Sequence, residues 1–344
     1  MTLASPRLLR KVSMVQGASS DAERKIVSIL KVLSESSEPL GSITIARELE
    51  RYGIFLSERA VRYHLRITDE RGYTEPLGRD GRMITHQGLE ELRLALAPDQ
   101  VGFVLEKLET LAFQTTFDPR EQTGQVAINT SLFDEGSFRQ ALSLMQEVFK
   151  SGLCVSENVA IASEGEKLGD VVVPRGKVGL ATLCSVTING VLLKAGIPIE
   201  SRFGGVLEVR SSRPRRFTAI INYAGTSLDP SEQYIRARMT SVGEVARNGN
   251  GRILANFREI PAPCHRVADE IVTRLKEAGL GGLLSMGNTS APVFETSVGL
   301  NRIGIVVLGG MNPVAAAEEA GFAAENHAMC TLMDYGDLVQ YGDI

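Results

Sequence analysis

The densest chemistry in the chain lies in one short run, Ser57-Glu58-Arg59-Ala60-Val61-Arg62-Tyr63-His64-Leu65-Arg66. Val61 and Leu65 stand four apart and share one face of a helix. Arg59, Arg62, Tyr63 and Arg66 fall on the remaining arc, with His64 flanking them. One apolar seam and an arginine-rich outer face suit the major groove of duplex DNA. There guanidinium groups pair with guanine O6 and N7, and each good pair discriminates by about 1–3 kcal/mol. Ser57 and the first helical amides can hold a phosphate. Arg79 and Arg82 flank a Gly-Arg-Asp-Gly turn and can reach the DNA backbone or minor groove. The plainer reading of such a charge run is a solvated helix face, so the elements around it decide.

Those elements follow a definite order. Ile26, Ile29, Leu30 and Leu33 have the spacing of an amphipathic helix over 21–35, with Asp21 as its cap. Ile43–Tyr52 forms a second helix ended by Gly53. Ser57 caps a third that runs to about Asp69, and Gly72 closes it. Tyr73–Leu77 and Arg82–Ile84 read as strands joined through Asp80-Gly81, a strong hairpin signal. A fourth helix starts near Thr85 with Leu89, Leu92 and Leu94. Helix, helix, helix, hairpin, helix is the order of a winged helix-turn-helix, which places the arginine helix where a recognition helix belongs. Useful occupancy by so small a module calls for a homodimer on a pseudo-palindromic site.

Before it, residues 1–20 read as a flexible tail, with a basic DNA-touching arm as the alternative. After it, 97–124 read as a linker with one helix, Gln100–Ala112, and a polar connector, Thr115–Gly124. From 125 to 344 strand and helix signals alternate. Gln125–Leu132, Val178–Val186, Val206–Val209, Phe217–Asn222, Gly251–Phe257 and Ile303–Leu308 read as strands, and Gly136–Lys150 and Val267–Glu277 as helices. The fold class expected is α+β: a winged helix-turn-helix joined to a larger mixed α/β regulatory body. An echo runs through that body. Val178-Gly179-Leu180, an Asn189-Gly190 turn and Ala195-Gly196-Ile197 are matched by Val298-Gly299-Leu300, a Gly309-Gly310 turn and Ala320-Gly321-Phe322. Either short motifs recur by chance, or the body is an internal duplication whose cleft suits a ligand.

Bulk properties narrow the function. The 344 residues carry a net charge of −4, split between a basic front (15 Lys and Arg against 13 Asp and Glu in 1–95) and an acidic remainder (22 against 28). That asymmetry fits a DNA module attached to a body that avoids DNA. The four cysteines form no C-x-x-C pair, nothing resembles a signal peptide, and no apolar run reaches membrane-spanning length. A cytoplasmic protein with reduced thiols and no membrane contact is expected. Cys264-His265 and His327-x-x-Cys330 lack finger spacing, so no metal site is expected. The chain has no G-x-S-x-G, no phosphate-binding G-K-[ST] loop, no H-E-x-x-H and no G-x-G-x-x-G. It reads as a regulator with no catalytic residues and no cofactor. The alternatives are an RNA-binding protein or an enzyme with an appended winged helix.

Ser57–Arg66, followed by Gly81-Arg82-Met83-Ile84-Thr85, resembles the winged-helix domain of ribonuclease R. Leu183–Pro198 (LCSVTINGVLLKAGIP), Ser297–Gly304 (SVGLNRIG) and Gly309–Pro313 (GGMNP) resemble the regulatory domain of the NrpR family, repressors of nitrogen assimilation in archaea and bacteria. The resemblance runs from about 21 to 340. It implies a repressor that releases double-stranded operator DNA when a small-molecule effector, 2-oxoglutarate, binds the body. Some family members carry two tandem regulatory domains, and this chain has room for one. A ligand with two carboxylates and a ketone needs cations or backbone amides at each end. Lys194 and Arg202, near Asn189, are candidates for one end, and Asn301 and Arg302, with Gly309 and Gly310, for the other. Cys184 and Thr187 share the same motifs.

Overall fold

The computed structural model describes residues 22–36, 38–78, 80–95 and 102–344. The tail at 1–20, the Asp21 cap, Arg79 and the start of the expected linker lie outside these residues. The chain divides into two compact units between Gln100 and Val101.

The first unit is built from helices α1 (22–34), α2 (Ser42–Arg51), α3 (Glu58–Glu70) and α4 (His86–Ala95), with the hairpin β1 (Thr74–Pro76) and β2 (Arg82–Ile84) between the last two. Its core is made by the predicted stripes: Ile29 and Leu33 from α1, Ile45 and Leu49 from α2, and Val61 and Leu65 from α3. Ile26 and Leu30 meet Leu92 of α4 in a second cluster. The hairpin pairs Thr74 with Ile84 and Pro76 with Arg82. Leu40 adds a third rung by exchanging two backbone hydrogen bonds of 3.0 Å with Arg82. Gly81 makes that rung sterically feasible, because it sits at φ +119° and any Cβ there would lie 2.4 Å from the Leu40 carbonyl.

The second unit begins with α5 (Phe103–Gln114), which is packed into the body rather than serving as a linker. There follow β3 (Gln125–Asp134), α6 (Glu135–Lys150), β4 (Asn158–Ala162), a small hairpin of β5 (Lys167–Leu168) and β6 (Val171–Val172), β7 (Lys177–Leu183), α7 (Val186–Lys194), β8 (Glu200–Arg210) and β9 (Arg213–Asn222). Then come α8 (Pro230–Arg236), α9 (Val242–Asn248), β10 (Gly251–Pro261), α10 (His265–Glu277), β11 (Leu283–Met286), β12 (Arg302–Leu308), α11 (Asn312–Glu319), β13 (Ala324–Asp334) and β14 (Val339–Gln340). Two antiparallel sheets result, ordered β13-β3-β7-β4-β14 and β11-β12-β10-β8-β9.

The sequence echo marks a duplicated fold. β3-α6-β4-β7-α7-β8 and β10-α10-β11-β12-α11-β13 have the same element order, and each half donates its last strand to the other half's sheet. The match holds to single residues. Asn129 faces Thr182 in the β3–β7 pair as Asn256 faces Val307 in the β10–β12 pair. The Cys184 amide donates to the Ala127 carbonyl at 2.8 Å, as the Gly309 amide does to Leu254 at 2.8 Å. Thr187 and Asn312, at equivalent helix starts, each bond both the amide and the carbonyl of that same strand residue. Gly196 and Gly321 end the two helices with φ of +78° and +97°. The largest core cluster draws on both sheets, with Ile128 and Leu183 from one and Ile305 and Val307 from the other.

Two features of the echo differ from the sequence reading. Val298-Gly299-Leu300 precedes β12 instead of lying in it, and the residues that match Val178-Gly179-Leu180 are Ile303-Gly304-Ile305. Asn189-Gly190 is not a turn but the middle of α7, and the β7 strand stops at Leu183. A Cβ at Gly190 would lie 2.4 Å from the Thr115 Cβ. The glycine is there because α5 and α7 pack closely, which leaves no local signature.

Candidate functional site

Two places gather functional chemistry, one in each unit. In the first, α3 presents Arg59, Arg62, Tyr63 and Arg66 outward, while Val61 and Leu65 are fully buried. Tyr63 is 56% exposed. Arg62 is held by Glu58 and by the Ser42 hydroxyl at the start of α2. Arg66 lies 3.9 Å from Glu70 and over the Tyr63 ring. These are exposed pairs of small net worth, and a phosphate or base edge can replace the carboxylate. Three of the expected contacts are placed otherwise. His64 is 7% exposed and faces inward. Arg82 makes a two-pronged bond to Asp69 at 2.9 and 3.1 Å, and Thr74 bonds the same carboxylate, so Arg82 fastens the wing to α3. The Ser57 hydroxyl caps α3 by accepting from the Ala60 amide.

In the body, the starts of α7 and α11 converge on a small cavity of about 20 Å³. Its lining includes Asn129, Cys184, Ser185, Asn256, Arg258 and Gly310. Arg258 is the unusual member. It is 1% exposed, and among the described residues its bonds run from Nη1 to the Ser185 carbonyl at 3.0 Å and from Nη2 to the Ser185 hydroxyl at 2.7 Å, while its Nε meets no partner. Burial lowers the guanidinium pKa from its ordinary value, yet arginine stays charged in proteins. A buried cation without a carboxylate within ion-pair reach is costly, and an anion would relieve it. The helix starts add partial positive charge from their unsatisfied amides. The close approach needs Gly310, whose Cβ would fall 2.2 Å from the Leu183 carbonyl.

The remaining wall is polar and tightly bonded. Tyr223 donates its hydroxyl hydrogen to Asn256 Oδ1 at 2.6 Å, and the Met329 amide donates to Asn129 Oδ1 at 3.0 Å. Asp229 caps α8 by accepting from the Ser231 and Glu232 amides, and burial, with Glu232 beside it, raises its pKa to about 6. Burial pushes the Cys184 thiol up to about 11, so it lines the cavity as a neutral group.

Of the residues expected to meet an effector, the structure brings Cys184 and Gly310 to this cavity. Gly309, Thr187 and Asn189 lie nearby in sequence but serve the frame: Gly309 bonds Leu254, Thr187 bonds Ala127, and Asn189 bonds Ser201. Lys194 lies over the Phe113 ring in a separate surface cleft. Arg202 and Arg302 are matched by Glu200 and Glu259 in an ion-pair cluster, next to Asn301, which adopts φ +56° in a tight turn. Sequence reasoning missed Arg258, Asn256, Asn129, Tyr223 and Asp229. The available signal was the polar run Asn256, Arg258 and Glu259 within a strand whose other residues, from Ile253 to Ile260, are apolar. Among the described residues no cluster of three or more His, Cys, Asp or Glu side chains can hold a metal ion. No helix of the described residues is long and apolar enough to cross a membrane.

The same two units match known proteins. A family model for the "NrpR regulatory domains NRD1 and 2" matches residues 101–340, and one for the "Ribonuclease R winged-helix domain" matches 27–92. The chain is 40% identical over 313 residues to the global nitrogen regulator NrpRI of Methanosarcina mazei, covering 91% of this chain and 96% of that one. It is 32% identical over 312 residues to the global nitrogen regulator NrpR of Methanococcus maripaludis, but spans only 54% of that protein's length. The crystal structure of a nitrogen repressor-like protein from Methanococcus jannaschii superposes with a TM-score of 0.59 at 26% identity, covering 69% of this chain and 98% of that one.

Proposed function

The chain belongs to the NrpR family of nitrogen regulators, and from that premise we propose that it represses by holding operator DNA and releases it when 2-oxoglutarate enters the cavity beside Arg258. Its relatives are named as regulators rather than enzymes, and it is a nitrogen-related transcriptional regulator with a winged helix. The observation that carries the effector reading is the fully buried Arg258 with an unpartnered Nε. Its surroundings suit a ligand with an anion at each end. Asn129 and Asn256 are related by the internal duplication, as are the starts of α7 and α11. Arg258 has no such equivalent, because the matching position on β3 is Ser131. The two ends of the site are therefore unlike, as the two ends of a 2-oxo dicarboxylate are. One carboxylate would pair with Arg258 and the other would take helix-start amides and asparagine donors.

On the DNA side, Arg59, Arg62 and Arg66 supply the cationic face of α3, with Tyr63 beside them. Two copies of the chain, each presenting one such helix, would read a pseudo-palindromic site. The test has two arms. Duplex selected from a random pool should bind the full chain more tightly than RNA at matched salt, and 2-oxoglutarate should weaken that binding roughly 5–150-fold, a typical coupling of about 1–3 kcal/mol. Equal binding to RNA removes the operator reading. DNA affinity unchanged at saturating 2-oxoglutarate removes the sensor reading.

A further inference from the structure

A cavity of about 20 Å³ holds roughly one water, far less than a five-carbon dicarboxylate needs. Something in its wall must move before such a ligand can enter. The wall has two kinds of component. Asn129, Asn256 and Arg258 sit on β3 and β10, which are paired on both sides within their sheets, and the starts of α7 and α11 are tied to those strands by Thr187 and Asn312. This part is the rigid floor. The other wall residues come from three elements that lie against this floor and belong to neither of its two strands. Leu108 comes from α5, Tyr223, Asp229 and Ser231 from a strap at 223–231, and Ala328 and Met329 from an irregular stretch of β13. In that stretch the pairing with β3 breaks between His327 and Thr331, and Met329 adopts φ +47°. The equivalent strand, β8, stays in register opposite Asn256 and skips a single residue only past it, where Phe257 and Arg258 of β10 pair with Phe203 and Ser201. The larger bulge in β13 therefore belongs to the cavity and not to the duplicated frame.

The three pieces are bonded to one another, and two bonds latch them to the floor: Tyr223 to Asn256 Oδ1 at 2.6 Å and the Met329 amide to Asn129 Oδ1 at 3.0 Å. Lys107 of α5 donates to the Ala328 carbonyl at 3.3 Å. The Gly102 amide, at the start of α5, donates to the Thr226 carbonyl of the strap at 3.0 Å. Glu232, one residue beyond the strap, accepts from the Ala328 amide at 2.7 Å. Leu108, Tyr223 and Met329 also share one apolar cluster with Cys184 and Val186.

We infer that α5, the strap and the β13 bulge form a single hinged cover over the cavity, and that an effector displaces them together. α5 is the helix that follows the winged helix in sequence, so displacement of the cover moves the element to which the DNA-binding unit is joined. This inference rests on the cavity being the effector site. It gives Lys107, Thr226 and Glu232 the role of holding the cover together, and Tyr223 and Met329 that of latching it to Asn256 and Asn129.

The test uses full-length chain in which Cys264→Ser and Cys330→Ser leave only the buried native thiols. Spin labels are attached at Glu109→Cys on α5 and Arg139→Cys on α6, both exposed positions. Calorimetry on the labelled protein first establishes whether 2-oxoglutarate binds. The account expects the α5–α6 distance to change by several ångström on binding. It also expects Tyr223→Phe, which removes the strap's hydroxyl bond to Asn256 and no floor residue, to bind 2-oxoglutarate several-fold more tightly, because less of the binding is spent on opening. Binding with an unchanged distance, or with an unchanged affinity in Tyr223→Phe, overturns the cover and leaves the effector reading standing. Absence of calorimetric binding removes the effector reading, and the cover falls with it.

Discussion

Arg59, Arg62 and Arg66 of the winged helix stand in water, and two of the three lean on carboxylates of their own helix. Arg258 of the body is 1% exposed and, among the described residues, hydrogen-bonds to the oxygens of Ser185 alone. The same side chain is thus kept in two opposite conditions. On α3 it costs the fold almost nothing and can exchange its partner for a polyanion, with an affinity that must fall steeply with salt. In the cavity it is a standing cost to the fold, shielded from salt, and suited to a small anion that can enter a confined space. Under the proposed function, a surface for a long, repetitive anion and a pocket for a short one call for these two solutions.

The largest expected effect comes from removing the buried cation. Arg258→Met keeps most of the volume, and should leave 2-oxoglutarate binding undetectable by calorimetry. Thermal unfolding should show a body as stable as before, or more stable by about 1–4 kcal/mol, because a well-packed apolar side chain replaces an uncompensated charge. A clear loss of stability would mean that Arg258 holds the two halves together and is not kept for a ligand.

The exposed arginines should behave in the reverse way. Arg59 meets no carboxylate among the described residues, so Arg59→Ala should leave unfolding unchanged and weaken binding to selected duplex by about 1–3 kcal/mol, as read by fluorescence anisotropy. Arg82→Ala separates the two classes within one unit. Its side chain is 28% exposed and bonded to Asp69, so urea unfolding of the winged helix should shift by about 1–2 kcal/mol. Any loss of DNA affinity should follow that loss of structure. If Arg82→Ala weakens DNA binding at full stability, the wing contacts DNA directly through it.

The smallest effect concerns Asp229. The fold raises its pKa from 3.8 to about 6 through burial and the nearby Glu232, against the opposing pull of Lys107. The native state therefore binds a proton more readily than the unfolded chain between those values. Its contribution to stability is complete below pH 3.8 and is lost as pH rises through about 6. Asp229→Asn retains a cap for α8 and should flatten the stability profile in that window. Arg258, Lys107, Glu232, Tyr223 and Cys184 are the other ionisable groups near it. Of these, Cys184 and Tyr223 stay neutral across the window. With the acidic wall protonated, 2-oxoglutarate should bind more tightly near pH 5.5 than near pH 7.5. A pH-independent affinity would place Asp229 outside the ligand's reach.

Legibility in the sequence followed the range of the interactions involved. Ile26, Ile29, Leu33, Val61 and Leu65 were readable because an amphipathic stripe is written within two or three turns of one helix. The glycine caps at 196 and 321 were readable for the same reason, and they disclosed the duplication. The strand exchange between the halves was not readable, because pairing of β13 with β3 joins segments nearly 200 residues apart. Arg258 was hidden by the same kind of fact. Only the placement of β10 between β8 and β12 makes its position an interior one. Lys194, Arg202 and Arg302 were attractive from sequence because they are cations in recognisable motifs, but motif membership does not show which cations already have partners.

The account rests on Arg258 linking effector to DNA, and a paired release titration tests that link most directly. Full-length protein and Arg258→Met are each bound to the same selected duplex, and 2-oxoglutarate is added while anisotropy reports the fraction bound. The account predicts release of the unmodified protein over a 5–150-fold loss of affinity and no release of Arg258→Met. Release of both with the same effector dependence would contradict it.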